Sequence, residues 1–370
     1  MNYKETLFFI GKCLTITHEN HNTVLVEEEL KSNNIDWDAV VKVSTSHYVF
    51  PALYCNLKRA NFLHYLPTDL LEYMKHITDL NRDRNQQIIE QAKEINELLL
   101  VNNITPIFLK GTGNLLEGLY DDIAERMVGD IDFIFSKEDY PKVIEVLTIF
   151  GYSKVHDTSY DYPSFKHYPR LQKKNRIVAV EIHKELLIEK YADEFNYIII
   201  EKDTKTINNV NVMSFDNQLA LSIIANQIND NGIYYKNIAL RNAYDVFLIS
   251  KRTIAINAFD KLINLKNPLN CFLATCFQVF NKPDSLQYNS TDETKGYLTT
   301  FNEQLNDYIL SSKHNKKTKR KLLIKSRLDI IYKSFFDTET RQWLINRITD
   351  KSWRREKLIQ LGLKKTKQDA

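Results

Sequence analysis

Two aspartates spaced two residues apart carry the clearest chemical signal in this sequence. They lie in Gly129-Asp130-Ile131-Asp132-Phe133-Ile134-Phe135, where polar and apolar residues alternate as in a β-strand. Because successive side chains of a strand point to opposite faces, Asp130 and Asp132 share one face. Two carboxylates about 6–7 Å apart on one face favour a bound cation, and Mg²⁺ prefers such oxygen ligands. Exposed aspartates without a metal are the competing interpretation, because a bare DxD occurs by chance about once in a chain of this length.

A second apolar strand is expected to add to this site. In Val180-Glu181-Ile182-His183 the polar residues again lie two apart, so Glu181 and His183 share a face. A carboxylate inside an apolar strand needs a partner, which favours a functional role for Glu181 as a third metal ligand. For His183 two interpretations stay open: direct participation in catalysis, or a supporting position in which it hydrogen-bonds to a neighbour.

A short turn between a predicted strand and a predicted helix is a candidate phosphate site. In Lys110-Gly111-Thr112-Gly113, backbone N–H groups at a helix N-terminus could bind a phosphate. Gly111 and Gly113 permit close approach, and Thr112 offers a hydroxyl. Lys110 either pairs with a phosphate or points at a carboxylate. A plain turn that uses glycine for its geometry is the competing interpretation, and the spacing matches neither a P-loop nor GxGxxG.

These motifs, taken in order, resemble a known family. LKG, GDIDFIF and VEIH are similar to the uncharacterised nucleotidyltransferase family of the DNA-polymerase-β-like superfamily, and the resemblance covers roughly residues 35–250. It implies an α+β fold. A small polymerase-β-like α/β core, with a mixed sheet and flanking helices, is expected between helical N- and C-terminal regions.

The resemblance also implies roles for individual residues. Asp130, Asp132 and Glu181 match the catalytic and metal-binding carboxylates, and Glu181 can also act as base toward an attacking hydroxyl. The nucleotide-binding residues that it implies are Lys110, Gly111, Thr112, Gly113, Arg126 and Gly129. Arg241 and Asp245 lie four residues apart on a predicted helix. They form either an intrahelical ion pair or supporting contacts at the edge of the nucleotide pocket.

The activity that the resemblance implies is transfer of a nucleoside monophosphate to an acceptor hydroxyl, with release of pyrophosphate. The donor is a nucleoside triphosphate, with ATP the first expectation, and the cofactor is Mg²⁺, with Mn²⁺ as the alternative. The acceptor stays open between a small molecule, a protein and RNA. Two other functions compete: an RNA-directed (tRNA-directed) nucleotidyltransferase of toxin-like or processing type, and a non-catalytic nucleotide-binding protein. The presence of all three carboxylates disfavours the last.

Hydrophobic periodicity divides the chain into four regions. They are a helical N-terminal region (1–100), a catalytic core (101–205), a helical C-terminal region (206–312) and a basic helical tail (313–370). The tail carries 18 Lys and Arg against 6 Asp and Glu, whereas the whole chain has a net charge of only +3. Nucleic-acid contact is the functional interpretation of this charge. A solvated charged face packed on an acidic body is the competing one.

The segment 156–176 is rich in Tyr, His, Lys and Arg and lies between predicted strands. It either lines the acceptor site or forms a solvated hairpin with aromatic anchors.

The composition excludes several classes of protein. With 9 Gly and 8 Pro in 370 residues, the chain is neither collagen-like nor of low complexity. It has no apolar stretch of about 18 residues, so no membrane-spanning helix is expected. Four Cys without a CxxC pair indicate neither a disulfide framework nor a zinc site, and a cytoplasmic location is expected. The N-terminal residues 1–16 are interpreted as a folded helix rather than a signal peptide, because Lys12 interrupts their apolar patch.

Overall fold

The structure is a computed structural model that describes residues 1–155, 166–259 and 262–360. The described chain separates into two compact units. One is built from residues 1–155 and 166–306, and the other contains residues 307–360. Within the described residues, every helix is too short or too polar to cross a membrane.

Five helices come first in the chain. They are α1 (Tyr3–Thr15), α2 (Asn20–Lys31), α3 (Trp37–Ser46), α4 (Phe50–Arg59) and α5 (Thr68–Leu100). A capping box starts α1, because Asn2 accepts from the backbone of Glu5 and the Glu5 side chain accepts from the backbone of Asn2. The long helix α5 begins directly after Pro67, whose fixed φ suits the entrance to a helix. Two buried asparagines of α5, Asn81 and Asn85, hold the segment that leads into the strand of the two aspartates.

Among the residues that the structure describes, seven strands form one mixed sheet. They are β1 (Ile107–Phe108), β2 (Asp130–Ile134), β3 (Tyr152–Lys154), β4 (Leu171–Lys173), β5 (Ala179–His183), β6 (Lys205–Ile207) and β7 (Val210–Val212). Their order across the sheet is β3-β4-β5-β2-β1-β7-β6. The pairs β2/β5 and β1/β7 are parallel, and the other neighbours are antiparallel. The two strands with the site motifs, β2 and β5, are therefore central neighbours.

Helices flank and follow the sheet in the first unit. They are α6 (Lys110–Glu117), α7 (Tyr140–Ile149), α8 (Tyr197–Glu201), α9 (Phe215–Ile224), α10 (Gly232–Tyr235), α11 (Leu240–Ser250), α12 (Lys266–Val279) and α13 (Asp292–Asn306). Ile131, Phe133 and Ile182 of the central strands are completely buried in the core. The mixed sheet between helices confirms the predicted α+β fold.

In the described part of the second unit, residues 307–360, there are three helices, α14 (Tyr308–Ser334), α15 (Thr338–Thr349) and α16 (Lys351–Gln360). The turn between α14 and α15 is held by the guanidinium of Arg341, which donates to the carbonyl oxygens of Ser334 (2.9 Å) and Phe335 (3.0 Å). Asp337 caps α15 by accepting from the backbone N–H of Thr340. Most of the Lys and Arg side chains of α14 are exposed.

Candidate active site

The register of β2 against β5 brings the predicted acids together. Asp132 lies opposite Glu181, and Asp130 lies opposite Ala179. His183, two residues after Glu181 on β5, lies on the same face. The alternation of strand side chains therefore places three carboxylates and one imidazole on a single face at the centre of the sheet. Asp132 and Glu181 are each 7% exposed and His183 is 2% exposed, so the polar groups are almost removed from water.

A lysine ammonium lies in the middle of this group. Lys110 Nζ is 2.5 Å from Oδ1 of Asp132, 3.4 Å from Nε2 of His183 and 3.9 Å from Oε2 of Glu181. His183 Nε2 is itself 2.8 Å from the same Oδ1 of Asp132. Of the two sequence interpretations of Lys110, the structure shows the one in which the side chain points at a carboxylate.

The charges in this cluster shift one another's pKa. Burial raises the pKa of Asp132, but the ammonium of Lys110 and the hydrogen bond from His183 outweigh it and hold the pKa well below its usual range. Burial, together with the positive charge of Lys110, lowers the pKa of His183. Asp132 is therefore ionised and His183 neutral near pH 7, so Nε2 of His183 carries the hydrogen that Asp132 accepts.

An arginine joins the other two carboxylates. Arg170, just before β4, donates from Nε to Oε1 of Glu181 at 2.7 Å and from Nη2 to Oδ2 of Asp130 at 3.0 Å. Burial and the negative charge of Glu181 raise the pKa of Asp130. The side chain of Arg170 is 54% exposed, so this bridge lies at the entrance to the cluster while Lys110 lies inside it.

The predicted phosphate turn forms the first residues of α6. Leu109 at the N-cap has no polar side chain, so the N–H groups of the first turn stay free of a side-chain cap. Thr112 is 1% exposed and its hydroxyl donates to the carbonyl oxygen of Asp130 at 3.0 Å, which fixes the turn to β2. A Cβ on Gly113 would lie 2.7 Å from the carbonyl oxygen of Phe108, so glycine is required there.

Open space and a buried guanidinium lie beside this turn. A Cβ on Gly111 would meet the guanidinium carbon of Arg126 at 3.5 Å, so Arg126 packs directly against the turn. A Cβ on Gly129 would have no atom within 4 Å among the residues that the structure describes. Gly129 therefore leaves open space beside Asp130.

Arg126 and Asp245 form a buried ion pair. Arg126 Nε is 3.0 Å from both carboxylate oxygens of Asp245, and the hydroxyl of Tyr120 donates to Oδ1 of Asp245 at 2.7 Å. The intrahelical pair of Arg241 with Asp245 is thus not the one formed, because Asp245 points toward the segment before β2. Arg241 instead lies over the ring of Tyr48, with 5.0 Å between the guanidinium carbon and the ring centroid.

The segment before β2 is fixed from two further directions. Asn85 of α5 donates to the carbonyl oxygen of Arg126 at 2.7 Å, and Asn81 donates to that of Ala124, also at 2.7 Å. Glu125 is 2% exposed and accepts from Arg59 and from the hydroxyl of Tyr244, each at 2.5 Å. Helices α4 and α5, which precede the sheet in the sequence, and α11, which follows it, therefore fix the segment before β2 and with it the position of the two aspartates.

Sequence reasoning did not assign two cations of the site, Arg170 and Lys166. Both belong to the basic and aromatic segment 156–176, whose residues 156–165 lie outside the described residues. The carbonyl oxygen of Lys166 accepts from the backbone N–H groups of Lys184 and Glu185, which ties it to the end of β5. Burial and the charge of Lys110 lower the pKa of the Lys166 ammonium. The composition of this segment was the available signal, but nothing in the spacing singled out these two residues.

The donor set fits a divalent cation. Ligand atoms of Asp132, Glu181 and His183 all lie within 4.8 Å of one another, and two carboxylates with one imidazole suit Mn²⁺ or Mg²⁺. The second nitrogen of His183, Nδ1, is 3.4 Å from the carbonyl oxygen of Glu185. If Nε2 binds a metal, the ring hydrogen moves to Nδ1, where it can donate to this carbonyl oxygen and orient the imidazole. Asp130 contributes a further carboxylate beside this group. The sequence left open whether His183 participates directly or supports a neighbour, and the structure brings its imidazole together with the carboxylates of Asp132 and Glu181.

The comparison with family models decides the classification. A family described as an uncharacterised nucleotidyltransferase matches residues 33–281, about two thirds of the chain. The chain belongs to this family. The match contains β2, β5, α6 and α11, and therefore every residue of the cluster described above. No curated protein and no solved structure matches the sequence.

Proposed function

We propose that this protein transfers a nucleoside monophosphate from a nucleoside triphosphate to an acceptor hydroxyl, with a divalent cation as cofactor and pyrophosphate as the second product. The observation that carries the proposal is the buried face shared by β2 and β5. There Asp130, Asp132, Glu181 and His183 converge next to the N-terminus of α6. Membership of the nucleotidyltransferase family supports the same reaction class.

The nucleotide is proposed to lie along the first turn of α6. Free backbone N–H groups there suit the oxygens of a triphosphate, and Gly129 leaves open space beside Asp130. The guanidinium of Arg126 lies beside Gly111, with its charge balanced by the buried carboxylate of Asp245. Lys166 and Arg170 add positive charge near the carboxylates, where the leaving pyrophosphate and the acceptor must both be accommodated.

In the proposed reaction, the acceptor oxygen forms a bond to the α-phosphorus and the bond between that phosphorus and the bridging oxygen of the β-phosphate breaks. Glu181 accepts the proton of the attacking hydroxyl, and the electron pair of the broken bond leaves with pyrophosphate. Asp132, Glu181 and His183, with Asp130 beside them, would hold the divalent cation, which when bound supplies charge neutralisation at the phosphates. The contribution of the protein is then mainly positioning and electrostatic stabilisation.

The proposal is tested by incubating the purified chain with each α-labelled nucleoside triphosphate and Mg²⁺, with and without total cellular RNA. Label on RNA, protein or a small molecule identifies the acceptor class. Asp130→Ala and Asp132→Ala should each lower transfer by at least about 100-fold, as removal of a transition-state charge stabiliser does. Asp203→Ala is the matched control, because Asp203 is an exposed acid of the same unit, and it should leave transfer unchanged.

Retained transfer in either site variant would refute the assignment. Binding of a nucleoside triphosphate without turnover in any mixture would instead favour the alternative of a non-catalytic nucleotide-binding protein.

A second candidate narrows the acceptor to RNA such as tRNA. The observation that favours it is the charge of α14, which carries nine Lys and Arg and one acidic residue, Asp329, in 27 residues. Basic side chains in such density suit a phosphate backbone. If α14 binds RNA, the logarithm of the affinity should fall linearly with the logarithm of the salt concentration, by about 0.7 for each phosphate contacted.

A triple alanine variant of α14 tests this second candidate. Replacing Lys316, Lys317 and Lys321, all exposed, should weaken RNA binding and flatten the salt dependence. The matched control replaces two exposed lysines of the first unit, Lys75 and Lys202, and should bind like the wild type. An unchanged salt dependence in the α14 variant would refute RNA contact through this helix.

A further inference from the structure

The position of Lys110 conflicts with the position that a metal ion would take. A divalent cation bound by Asp132, Glu181 and His183 lies about 2.0–2.2 Å from each ligand atom. Lys110 Nζ lies 2.5 Å from the Oδ1 atom that faces this group, and within 3.9 Å of the ligand atoms of both other residues. The ammonium and the ion would overlap, so only one of them can be present at a time.

Arg170 bridges the other two carboxylates of the cluster. The remaining oxygen of Glu181 accepts from Arg170, which also pairs with Asp130. Lys110 is therefore the internal counter-ion of Asp132, while Arg170 is that of Asp130 and Glu181. The backbone of Lys110 has φ 50°, in the left-handed region that a lysine adopts at an energetic cost.

We infer that Lys110 is a displaceable counter-ion: it holds the acidic cluster in the metal-free protein, and a divalent cation binds only when the ammonium moves out. This inference rests on the proposed function, because the ion is the proposed cofactor. Lys110 is the first residue of α6, so the displaced ammonium stays at the turn proposed for the triphosphate. Metal binding would therefore move the ammonium of Lys110 to the proposed phosphate site.

Titration with Mn²⁺ tests the inference without nucleotide or acceptor. Free Mn²⁺ is measured by its electron paramagnetic resonance signal as the full chain is added. If the ammonium of Lys110 is outside the cluster for a tenth of the time or less, the apparent affinity for Mn²⁺ is lowered in the same proportion. Lys110→Met should therefore bind Mn²⁺ about tenfold more tightly or better than the wild type, and Asp132→Asn should lose this site.

Lys166→Met is the matched control. Lys166 also carries an ammonium near the cluster, since the charges of Lys110 and Asp132 both shift its pKa. Lys110, however, is the residue whose ammonium contacts the ligand atoms. If Lys166→Met tightens Mn²⁺ binding as much as Lys110→Met does, the effect comes from the loss of any nearby positive charge rather than from displacement of Lys110, and the inference is overturned. Equal or weaker binding by Lys110→Met also overturns it.

A measurement on the wild type covers the case in which Lys110→Met does not fold. Lysines are labelled by reductive methylation, and the modified positions are quantified by mass spectrometry with and without Mg²⁺. Saturating Mg²⁺ should raise the labelling rate of Lys110 severalfold, with Lys137 as an exposed internal reference. An unchanged rate at Lys110 would overturn the inference. Because neither readout depends on turnover, a failure here is distinct from a failure of the nucleotidyl-transfer assay.

Discussion

The buried pair of Arg126 and Asp245 yields a prediction that can be worked out from the structure. Asp245→Asn keeps the shape of the side chain and one oxygen for the hydroxyl of Tyr120, but it removes the negative charge. The side chains of Arg126 and Asp245 are 7% and 2% exposed, so the guanidinium is left buried and uncompensated. Breaking such a pair costs about 3–5 kcal/mol, compared with about 0–1 kcal/mol for an exposed pair.

This cost should be visible as a large fall in thermal stability. For a unit of nearly 300 residues, each kcal/mol shifts the midpoint of unfolding by roughly 2 °C. Asp245→Asn should therefore lower the midpoint by roughly 6–10 °C in differential scanning calorimetry. Asp292→Asn is the control, because Asp292 is 98% exposed in its pair with Lys295, and it should leave the midpoint unchanged.

A double variant distinguishes a charge effect from a packing effect. Replacing Arg126 by Met together with Asp245 by Leu removes both charges, and such apolar replacement of a buried pair is often close to neutral. The double variant should thus regain most of the stability that Asp245→Asn loses. A fall of less than about 2 °C in Asp245→Asn would refute the reasoning that this pair secures the segment before β2.

Three further predictions concern the cluster and its turn. In metal-free buffer, Asp132→Asn should lower the free energy of unfolding by about 2 kcal/mol. Because the pKa of Asp132 is depressed in the folded state, this difference should be complete above about pH 4 and should shrink as the pH falls. Urea unfolding of both proteins between about pH 7 and pH 3 measures it. Wild-type protein should bind Mn²⁺ roughly tenfold more tightly than Mg²⁺ because His183 contributes an imidazole, and His183→Gln should lose most of this preference in a competition titration. Gly113→Ala should destabilise the protein by about 1–3 kcal/mol, because its Cβ would meet the carbonyl oxygen of Phe108. Gly296→Ala is its control and should not destabilise the protein, because a Cβ at Gly296 would have no described atom within 4 Å.

The sequence was sufficient to predict the strands and their polar face. Alternation in GDIDFIF and VEIH, together with the glycines of the turn, predicted which side chains share a face, because these features depend on local geometry. The same patterns do not encode which strands are neighbours. The register of Asp132 against Glu181 follows from the parallel pairing of β2 with β5, which periodicity does not specify.

Long-range charge pairs were the part that local patterns could not predict. Asp245 pairs with Arg126, which lies 119 residues earlier, rather than with Arg241 on its own helix. Glu125 is held by Arg59 and Tyr244, although nothing in its immediate sequence indicates burial. Such contacts depend on the packing of α4, α5 and α11 around one segment, so they become visible only in three dimensions.

The most direct test of the account is to follow both ends of the donor in one reaction. With α-labelled and γ-labelled nucleoside triphosphate in parallel, we expect the α label on the acceptor and the γ label in pyrophosphate, in equal amounts. Asp132→Asn should lose both products, and Asp203→Asn should keep them. Transfer of the γ label to the acceptor, or its release as inorganic phosphate, would contradict nucleotidyl transfer as the function of this protein.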